Sequence, residues 1–227
     1  MPTRTARATA GTAPMEPDPD IGRSARKRRD IIAAATTLFL RDGYRSTSMD
    51  QVAADAGVSK QTVYKHFADK EQLFRGVVLG VTANSEAIVT EMTAALHRTG
   101  IDTVSSLQKV LTELARRYLD GVLQPHVLAL RRLIIAEAEQ FPDLARAYYE
   151  QAPARGIEVI AAVFDEYAKR GLLAFGASHV AAAHFAYLAL AIPQDRAQFC
   201  PHDLPSARER HRHAEEAVRI FLAAYGG

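Results

Sequence analysis

The sequence contains a single cysteine, Cys200, and no tryptophan. One thiol excludes an internal disulfide framework, so a reducing compartment is the simple inference. No apolar run approaches the roughly 20 residues of a membrane-spanning helix. The arginine-containing N-terminus also lacks the apolar segment of a secretory signal. We therefore expect a soluble, cytoplasmic protein.

Catalytic motifs are also missing from the sequence. There is no glycine-rich phosphate loop, no Cys-x-x-Cys, no His-Glu-x-x-His and no nucleophile elbow. The eight histidines are scattered, and His211 and His213 fall on different helix faces because they are two residues apart. We expect no metal, no cofactor and no enzymatic activity, and a helical enzyme is the weaker alternative. Cys200 is either a redox sensor or an incidental loop thiol.

Glycine and proline are scarce over long stretches, whereas alanine is abundant. This composition favours helices over strands, and no period-two alternation competes with the helical spacing of apolar residues. We expect an all-α fold of about nine helices. In this fold a three-helix head is joined by a long helix to a larger helical bundle.

Positive charge is concentrated in one part of the chain, although the net charge is only +2. Residues 23–70 carry ten lysines and arginines against five acidic residues, whereas residues 76–227 carry fifteen against seventeen. A basic end on a near-neutral body suits binding to a polyanion at one place. On charge alone, a solvated charged face is the alternative.

Short helical patterns divide this basic segment. Their predicted starts are Ser24, Met49, Lys60 and Lys70, with Thr47 or Ser48, Ser59 and Asp69 as N-caps, and the last helix runs to about His97. Gly43 can take the left-handed stop position after the first helix, and Gly57 allows the sharp turn between the second and third. Two short helices around a glycine-containing turn form the helix-turn-helix arrangement that reads the major groove of DNA.

Residues 28–75 resemble the N-terminal domain of the TetR family of transcriptional repressors. The shared residues keep a fixed spacing along the whole segment, which a chance match would not produce. They are Ala34, Leu38, Phe39, Gly43, Tyr44, Thr47, Ser48, Met49, Val52, Ala53, Ala56, Gly57, Val58, Ser59, Thr62, Val63, Tyr64, His66, Phe67, Lys70 and Leu73. Gln61 departs from the pattern, because many relatives have glycine there, and its amide can bond adenine.

The resemblance implies a set of DNA contacts. The residues concerned are Thr47, Ser48, Ser59, Lys60, Gln61, Thr62, Tyr64, Lys65, His66 and Lys70. Thr47 and Ser48 would bond phosphates while capping the second helix, residues 60–62 would approach base edges, and the remaining basic and aromatic side chains would hold phosphates. The structural alternatives are that the hydroxyls only cap helices, that Tyr64 is partly core, and that His66 bonds within the domain.

Residues 76–227 show further helical patterns, at about 103–122, 126–140, 143–170, 177–191 and 206–225. Pro153 is expected to kink or divide the third of these helices, and a loop is expected from Pro193 to Pro205. Residues 130–153 and 214–226 resemble the AefR-like subgroup of the same family. This resemblance implies dimerisation through the last two helices and a small-molecule inducer pocket between the middle ones.

Two helices carry features that suit a dimer. The 177–191 helix is rich in alanine, so that another helix can approach it closely. The last helix has an apolar seam that is either core or partner interface. The seam residues are Ala207, His211, Ala214, Val218, Phe221 and Tyr225.

Aromatic and polar residues of the middle helices are the candidates for the pocket, although the favoured explanation of each is a core aromatic or a surface charge. They are Tyr118, His126, Arg132, Glu137, Phe164, Tyr167 and His184.

Together these features predict three parts of the chain. Residues 1–22 form a disordered tail, residues 23–75 a DNA-binding domain, and residues 76–227 a ligand-binding and dimerisation domain. The expected function is that of a ligand-responsive repressor that binds a palindromic operator as a homodimer. A ligand-independent DNA-organising protein is the alternative.

Overall fold

The computed structural model of the chain describes residues 19–81 and 101–227, and within these ranges the all-α prediction is confirmed. The helices are α1 (Pro19–Ser46), α2 (Met49–Asp55), α3 (Lys60–His66), α4 (70–81), α5 (Val104–Val122), α6 (Pro125–Ala136), α7 (Pro142–Tyr149), α8 (Arg155–Lys169), α9 (Ser178–Phe199) and α10 (Ala207–Tyr225). The described residues form no β-strand, only one isolated bridge between Leu173 and Gly226. None of their helices is both long and apolar enough to cross a bilayer.

The first helix begins at Pro19, five residues before the predicted start at Ser24. Most of the predicted tail, residues 1–18, lies outside the described residues. The same is true of residues 82–97 of the predicted long helix.

The N-caps of the head are those that the sequence predicts. Ser48 forms a capping box, in which the Gln51 amide donates to its hydroxyl (3.2 Å) and its own amide donates to the Gln51 side chain (2.8 Å). The Ser59 hydroxyl accepts from the Thr62 amide at 3.1 Å. The Asp69 carboxylate accepts from the Gln72 amide at 2.8 Å. These local bonds satisfy amides that a helix start would otherwise leave unpaired.

Gly43 interrupts α1 with φ 83° and ψ 170°. The positive φ agrees with its predicted role as a stop, but the extended ψ places it outside the left-handed helical region that the sequence suggested. Only glycine adopts this combination without strain. The Thr47 hydroxyl donates to the Gly43 carbonyl at 2.9 Å and thereby fixes the redirected chain before α2.

Lys70 holds the end of α1 in place. Its ammonium donates to the carbonyls of Tyr44 (3.0 Å), Arg45 (3.3 Å) and Thr47 (3.0 Å), and it lies 4.5 Å from the centre of the Tyr44 ring. An ammonium has three hydrogen-bond donors, and all three are used here. Lys70 therefore satisfies carbonyls that the end of a helix leaves without intrahelical partners.

Four aromatic rings join the head to the rest of the molecule. Phe39 and Tyr44 come from α1, Phe74 from α4, and Phe141 precedes α7. The Tyr44 ring centre lies 4.9 Å from those of both Phe74 and Phe141, and Phe39 lies 5.3 Å from Phe74. We call these residues the aromatic junction. Leu130, Leu133, Ile134, Leu144 and Tyr148 continue the same buried cluster into α6 and α7.

The second core lies between α5, α8, α9 and α10. At its centre, Phe164, Phe185 and Phe221 pack with ring centres 5.2 to 5.6 Å apart. The alanines of α9 belong to this core: Ala181, Ala182, Ala186 and Ala189 are buried. Three seam residues of α10, Ala214, Val218 and Phe221, are also buried within the chain. Most of the alanine face and the middle of the seam are therefore internal packing rather than a surface for a partner.

The two prolines of the body behave differently. Pro153 lies in a π-helical turn, Glu150–Ala154, which separates α7 from α8 as the sequence predicts. Pro193 lies inside α9, which continues to Phe199, so the predicted loop from Pro193 is wrong. Pro193 and Ala197 are buried, and this packing offsets the one backbone hydrogen bond that a helical proline loses. The predicted helix 126–140 is also shorter, because α6 ends at Ala136.

We predict that Gly43→Ala lowers the free energy of unfolding by about 1 to 3 kcal/mol, because alanine is strained at this φ and ψ. Gly80→Ala is the matched control. Gly80 is exposed in α4, and no other part of the described chain comes within 4 Å of an added Cβ, so this variant should gain roughly 0.5 to 1 kcal/mol. Urea unfolding measures both. If the two substitutions changed the free energy of unfolding by the same amount and in the same direction, the role given to Gly43 would be wrong.

We predict that Lys70→Met lowers the free energy of unfolding by about 1.5 to 3 kcal/mol, because it leaves three carbonyls without their charged donor. Lys65→Met, at an exposed position of α3, should change it by less than about 0.5 kcal/mol. The same urea titrations compare the two lysines. A Lys70 variant as stable as the Lys65 variant would show that these bonds contribute nothing.

Candidate nucleic-acid interface

The turn between α2 and α3 sets the orientation of α3. Gly57 has φ 62°, and the Val58 amide donates to the Ala53 carbonyl at 3.0 Å. Val63 and Phe67 are buried with Val52 in the core of the head. Because α3 has only seven residues, burial of this face forces the other face towards solvent.

The solvent face of α3 consists of side chains that can bind DNA. Lys60, Gln61, Tyr64 and Lys65 are exposed, whereas Thr62 and His66 are half-buried. Tyr64 is 44 % exposed, so it is not a core residue. We call these six residues the reading face. It presents two ammonium groups, an amide and a phenol, which suit phosphates and base edges.

Lys60 and Thr62 have intramolecular partners. The Lys60 ammonium lies 2.8 Å from the Asp50 carboxylate of α2, and this hydrogen-bonded pair raises the pKa of Lys60. Both side chains are exposed, and exposed ion pairs are weak, so a phosphate can replace Asp50. The Thr62 and Ser59 hydroxyl oxygens are 2.8 Å apart. Ser59 and Thr62 are thus bonded to each other at the start of α3.

His66 closes the reading face at the end of α3. Burial lowers the pKa of its imidazole, and the charges of Lys65, Arg28 and Lys27 lower it further. The uncharged ring is therefore favoured at neutral pH. The Arg28 guanidinium lies 5.1 Å from the centre of the Phe67 ring. These interactions place the basic start of α1 beside α3, so that both elements add positive charge to one surface.

Two residues that are predicted to contact DNA, Thr47 and Lys70, form hydrogen bonds within the protein instead. Thr47 is only 2 % exposed, and its hydroxyl bonds the Gly43 carbonyl rather than capping α2, which Ser48 caps alone. Lys70 uses its three donors on backbone carbonyls, so a phosphate could bind it only by displacing one of them. Ser48 itself is exposed. No local pattern reveals the position of Lys70, because its partners lie 23 to 26 residues away in the chain.

A cavity of about 130 Å³ lies between α5, α6, α9 and the turn after α7. We call it the body cavity. The described residues that line it are Val81, Tyr118, Gly121, Val122, Val127, Leu130, Arg131, Tyr148, Ala152, Pro153, Ile157, Ala186, Tyr187, Leu190 and Gln194. Of the seven predicted pocket residues, only Tyr118 is among them. Burial raises the pKa of its phenol to about 12, so Tyr118 remains protonated.

The other predicted pocket residues lie elsewhere. Phe164 and Tyr167 are buried in the second core, because they are on the face of α8 that packs against α9 and α10. His126 is exposed in the first turn of α6, and Glu137 follows the end of that helix.

Arg132 and His184 are directed towards other helices. The Arg132 guanidinium donates to the Ala197 carbonyl at 3.4 Å. His184 is exposed on α9, with its Nδ1 2.5 Å from the Tyr225 hydroxyl.

Sequence reasoning missed Arg131, Tyr148, Tyr187 and Gln194 in the cavity wall. Helical spacing could have indicated that Arg131 lies in the cavity wall. Val127 and Arg131 are four residues apart and share a face of α6, whereas Arg132 is rotated away from it.

Two protein-family models match the chain, one in its N-terminal part and one in its C-terminal part. Residues 31–77 match the model of the bacterial regulatory proteins of the TetR family. Residues 109–227 match that of the C-terminal domain of AefR-like transcriptional repressors.

Two solved structures are similar over nearly their whole length. A TetR-family transcriptional regulator of Mesorhizobium loti is 41 % identical, with a TM-score of 0.81 over 90 % of this chain and 99 % of its own. The flavonoid-responsive regulator FrrA is 31 % identical, with a TM-score of 0.64 over 89 % and 98 %.

Among curated proteins, the transcriptional regulator TcmR of Streptomyces glaucescens is 28 % identical over 144 residues. The match spans 62 % of each chain, which is less than two thirds of the relative. The family of this chain nevertheless follows from two domain models and from full-length structural relatives: the chain belongs to the TetR family of DNA-binding transcriptional regulators.

Proposed function

We propose that this protein is a ligand-responsive repressor that binds a palindromic operator as a homodimer. The observation that carries the proposal is the reading face, where Gln61, Tyr64 and Lys65 point to solvent from a helix whose opposite side is buried. Lys65 and Tyr64 suit phosphates, and Gln61 can make paired hydrogen bonds to adenine. One short helix reads few base pairs, so a two-fold dimer would double the site.

The outer surface of α9 and α10 supports the dimer. Val180, Tyr187 and Ile220 are large apolar residues with 43 to 56 % exposure. A shallow groove between the two helices is lined mainly by apolar and aromatic side chains, namely Tyr187, Leu188, Ile220, Phe221, Ala224 and Tyr225, together with His184. Exposed apolar patches of this kind mark protein–protein contacts. For such a dimer to read successive major-groove turns, its two copies of α3 must lie about 34–36 Å apart.

The body cavity supports ligand control. Its wall is largely apolar with a few polar groups, as small-molecule sites are. The relative FrrA is named as flavonoid-responsive, and we extend ligand responsiveness, though not the identity of the ligand, to this chain.

A short route connects the body cavity to the head. Tyr148, Ala152 and Pro153 line the cavity and belong to α7 and the π-helical turn that follows it. At the other end of α7, the Asp143 carboxylate pairs with the Arg75 guanidinium of α4 at 2.5 Å, and Phe141 belongs to the aromatic junction. A ligand that displaces the π-helical turn would therefore move the head through α7. It must bind one arrangement more tightly than the other to have any effect.

The DNA-binding part is tested on an operator selected from a random pool. We predict that Tyr64→Ala and Lys65→Ala each weaken binding and that each lost phosphate contact reduces the slope of log affinity against log salt by about one unit. Lys109→Ala, an exposed lysine of α5, is the control and should leave affinity and slope unchanged. Wild-type slopes in both head variants would refute the assigned contacts. Binding without preference for any palindrome would favour a DNA-organising protein.

We predict that Asp143→Asn weakens operator binding roughly threefold to tenfold. The ion pair with Arg75 helps to fix the angle between head and body, and a wider distribution of angles leaves fewer dimers with the required spacing. Glu158→Gln, which removes an exposed ion pair within α8, is the control and should bind as wild type does. Fluorescence anisotropy with a labelled operator measures both. Equal affinities for the two variants would exclude a role of α7 in positioning the head.

A further inference from the structure

Arg131 is the charged residue among the described side chains that line the body cavity. It is half-buried in the middle of α6, and Leu130, Val127 and Ile157 belong to the same wall. Burial raises the pKa of the Tyr148 phenol, and the nearby Arg131 guanidinium opposes this rise. No aspartate or glutamate is present among the described lining residues.

Other arginines of the body have carboxylate partners. Arg116 lies 2.8 Å from both Glu113 and Asp120, Arg117 lies 2.6 Å from Glu113, and Arg210 lies 2.7 Å from Asp120. The described part of the cavity wall offers Arg131 only neutral groups. A guanidinium has five donors in a planar fork that fits a carboxylate in a bidentate manner. A partly buried cation that has no carboxylate among the described lining residues is costly, so it favours the binding of an anionic ligand group.

The shape of the cavity limits the rest of the ligand. Its volume of about 130 Å³ is close to that of an engineered apolar cavity of roughly 150 Å³ that holds one benzene molecule. Tyr118, Tyr148 and Tyr187 contribute rings to the wall, and aromatic pairs gain energy beyond the area they bury. The Tyr118 phenol, which stays protonated, can donate to an anionic oxygen. The volume of the body cavity and the tyrosines that line it thus suit a ligand with one planar ring.

From these features we propose that the body cavity binds a small aromatic carboxylic acid. The carboxylate lies on Arg131, within reach of the Tyr118 hydroxyl, and the ring lies between the tyrosines and the aliphatic wall. This inference rests on the ligand-responsive function proposed above and specifies the chemical class of the ligand.

The test is calorimetric titration of the full-length protein, without DNA, against three probes. Benzoate carries both ring and charge, benzamide has the same ring with a neutral head group, and acetate has the charge without the ring. We expect benzoate to bind at least tenfold more tightly than either of the others. Benzamide binding as tightly as benzoate would overturn the role of Arg131, and acetate binding as tightly would overturn the aromatic part.

Two neighbouring arginines provide a matched pair of variants. Arg131→Gln should abolish the preference for benzoate over benzamide, whereas Arg132→Gln, whose side chain lies outside the cavity, should keep it. Arg131→Lys retains the charge without the fork and should keep a reduced preference, which provides a test if Arg131→Gln fails to fold. A full preference in a folded Arg131→Gln variant would refute the proposal.

The titration without DNA measures ligand binding, and the operator assays with Tyr64 and Lys65 variants measure DNA binding by α3. Loss of the benzoate preference therefore contradicts the ligand class, whereas wild-type salt slopes in the head variants contradict the proposed DNA contacts.

Discussion

The packing of Phe39, Tyr44, Phe74 and Phe141 in the aromatic junction is the interaction on which the rest of the structure depends. These rings come from α1, from α4 and from the start of α7, so one cluster fixes three elements at once. Protein interiors are close-packed and transmit displacement rather than absorbing it. The same buried cluster includes Val63 of α3 as well as Leu130 and Tyr148 of the cavity wall, so the reading helix and the body cavity share one core.

Polar contacts complete the aromatic junction at its edge. Lys70 stacks on Tyr44 and bonds the carbonyls at the end of α1. Arg75, five residues further along α4, pairs with Asp143. The first contact is within the head and the second connects the head to α7. Two basic residues of α4 thus make different contacts, Lys70 within the head and Arg75 across to α7.

Features that depend on neighbours in the chain could be predicted from the sequence. The caps at Ser48, Ser59 and Asp69 need only a side chain and an amide three residues away, and the division at Pro153 needs only the missing amide of proline. The surroundings of the Lys70 ammonium and of the Arg131 guanidinium could not be predicted, because each depends on which distant element packs beside it. The continuation of α9 through Pro193 could not be predicted either, because the burial of Ala197 depends on tertiary packing, whereas the local sequence contains a helix-breaking proline.

The same distinction explains the results for the predicted cavity residues. Aromatic residues of the middle helices were reasonable candidates, but composition does not say which face of a helix meets a cavity and which meets the core. Phe164 and Tyr167 face α9 and α10, whereas Ile157 of the same helix faces the cavity. In α6 the predicted residue is Arg132, whereas its neighbour Arg131 lines the cavity. Adjacent residues of a helix are rotated by about 100° from each other, so the two side chains leave the helix on different faces.

The shared core has a consequence for hybrid regulators. Family models divide the chain into two segments, residues 31–77 and 109–227, which invites the transplantation of this head onto a foreign body. Such a graft would keep Phe39, Tyr44 and Phe74 but would lose Phe141, so the two rings that pack on Phe141, those of Tyr44 and Phe74, would face whatever side chain the foreign body supplies. A functional chimera must therefore bring the start of α7 with the head, or choose a recipient with a ring of similar volume at that place. The two segments that the family models match therefore share one packed core.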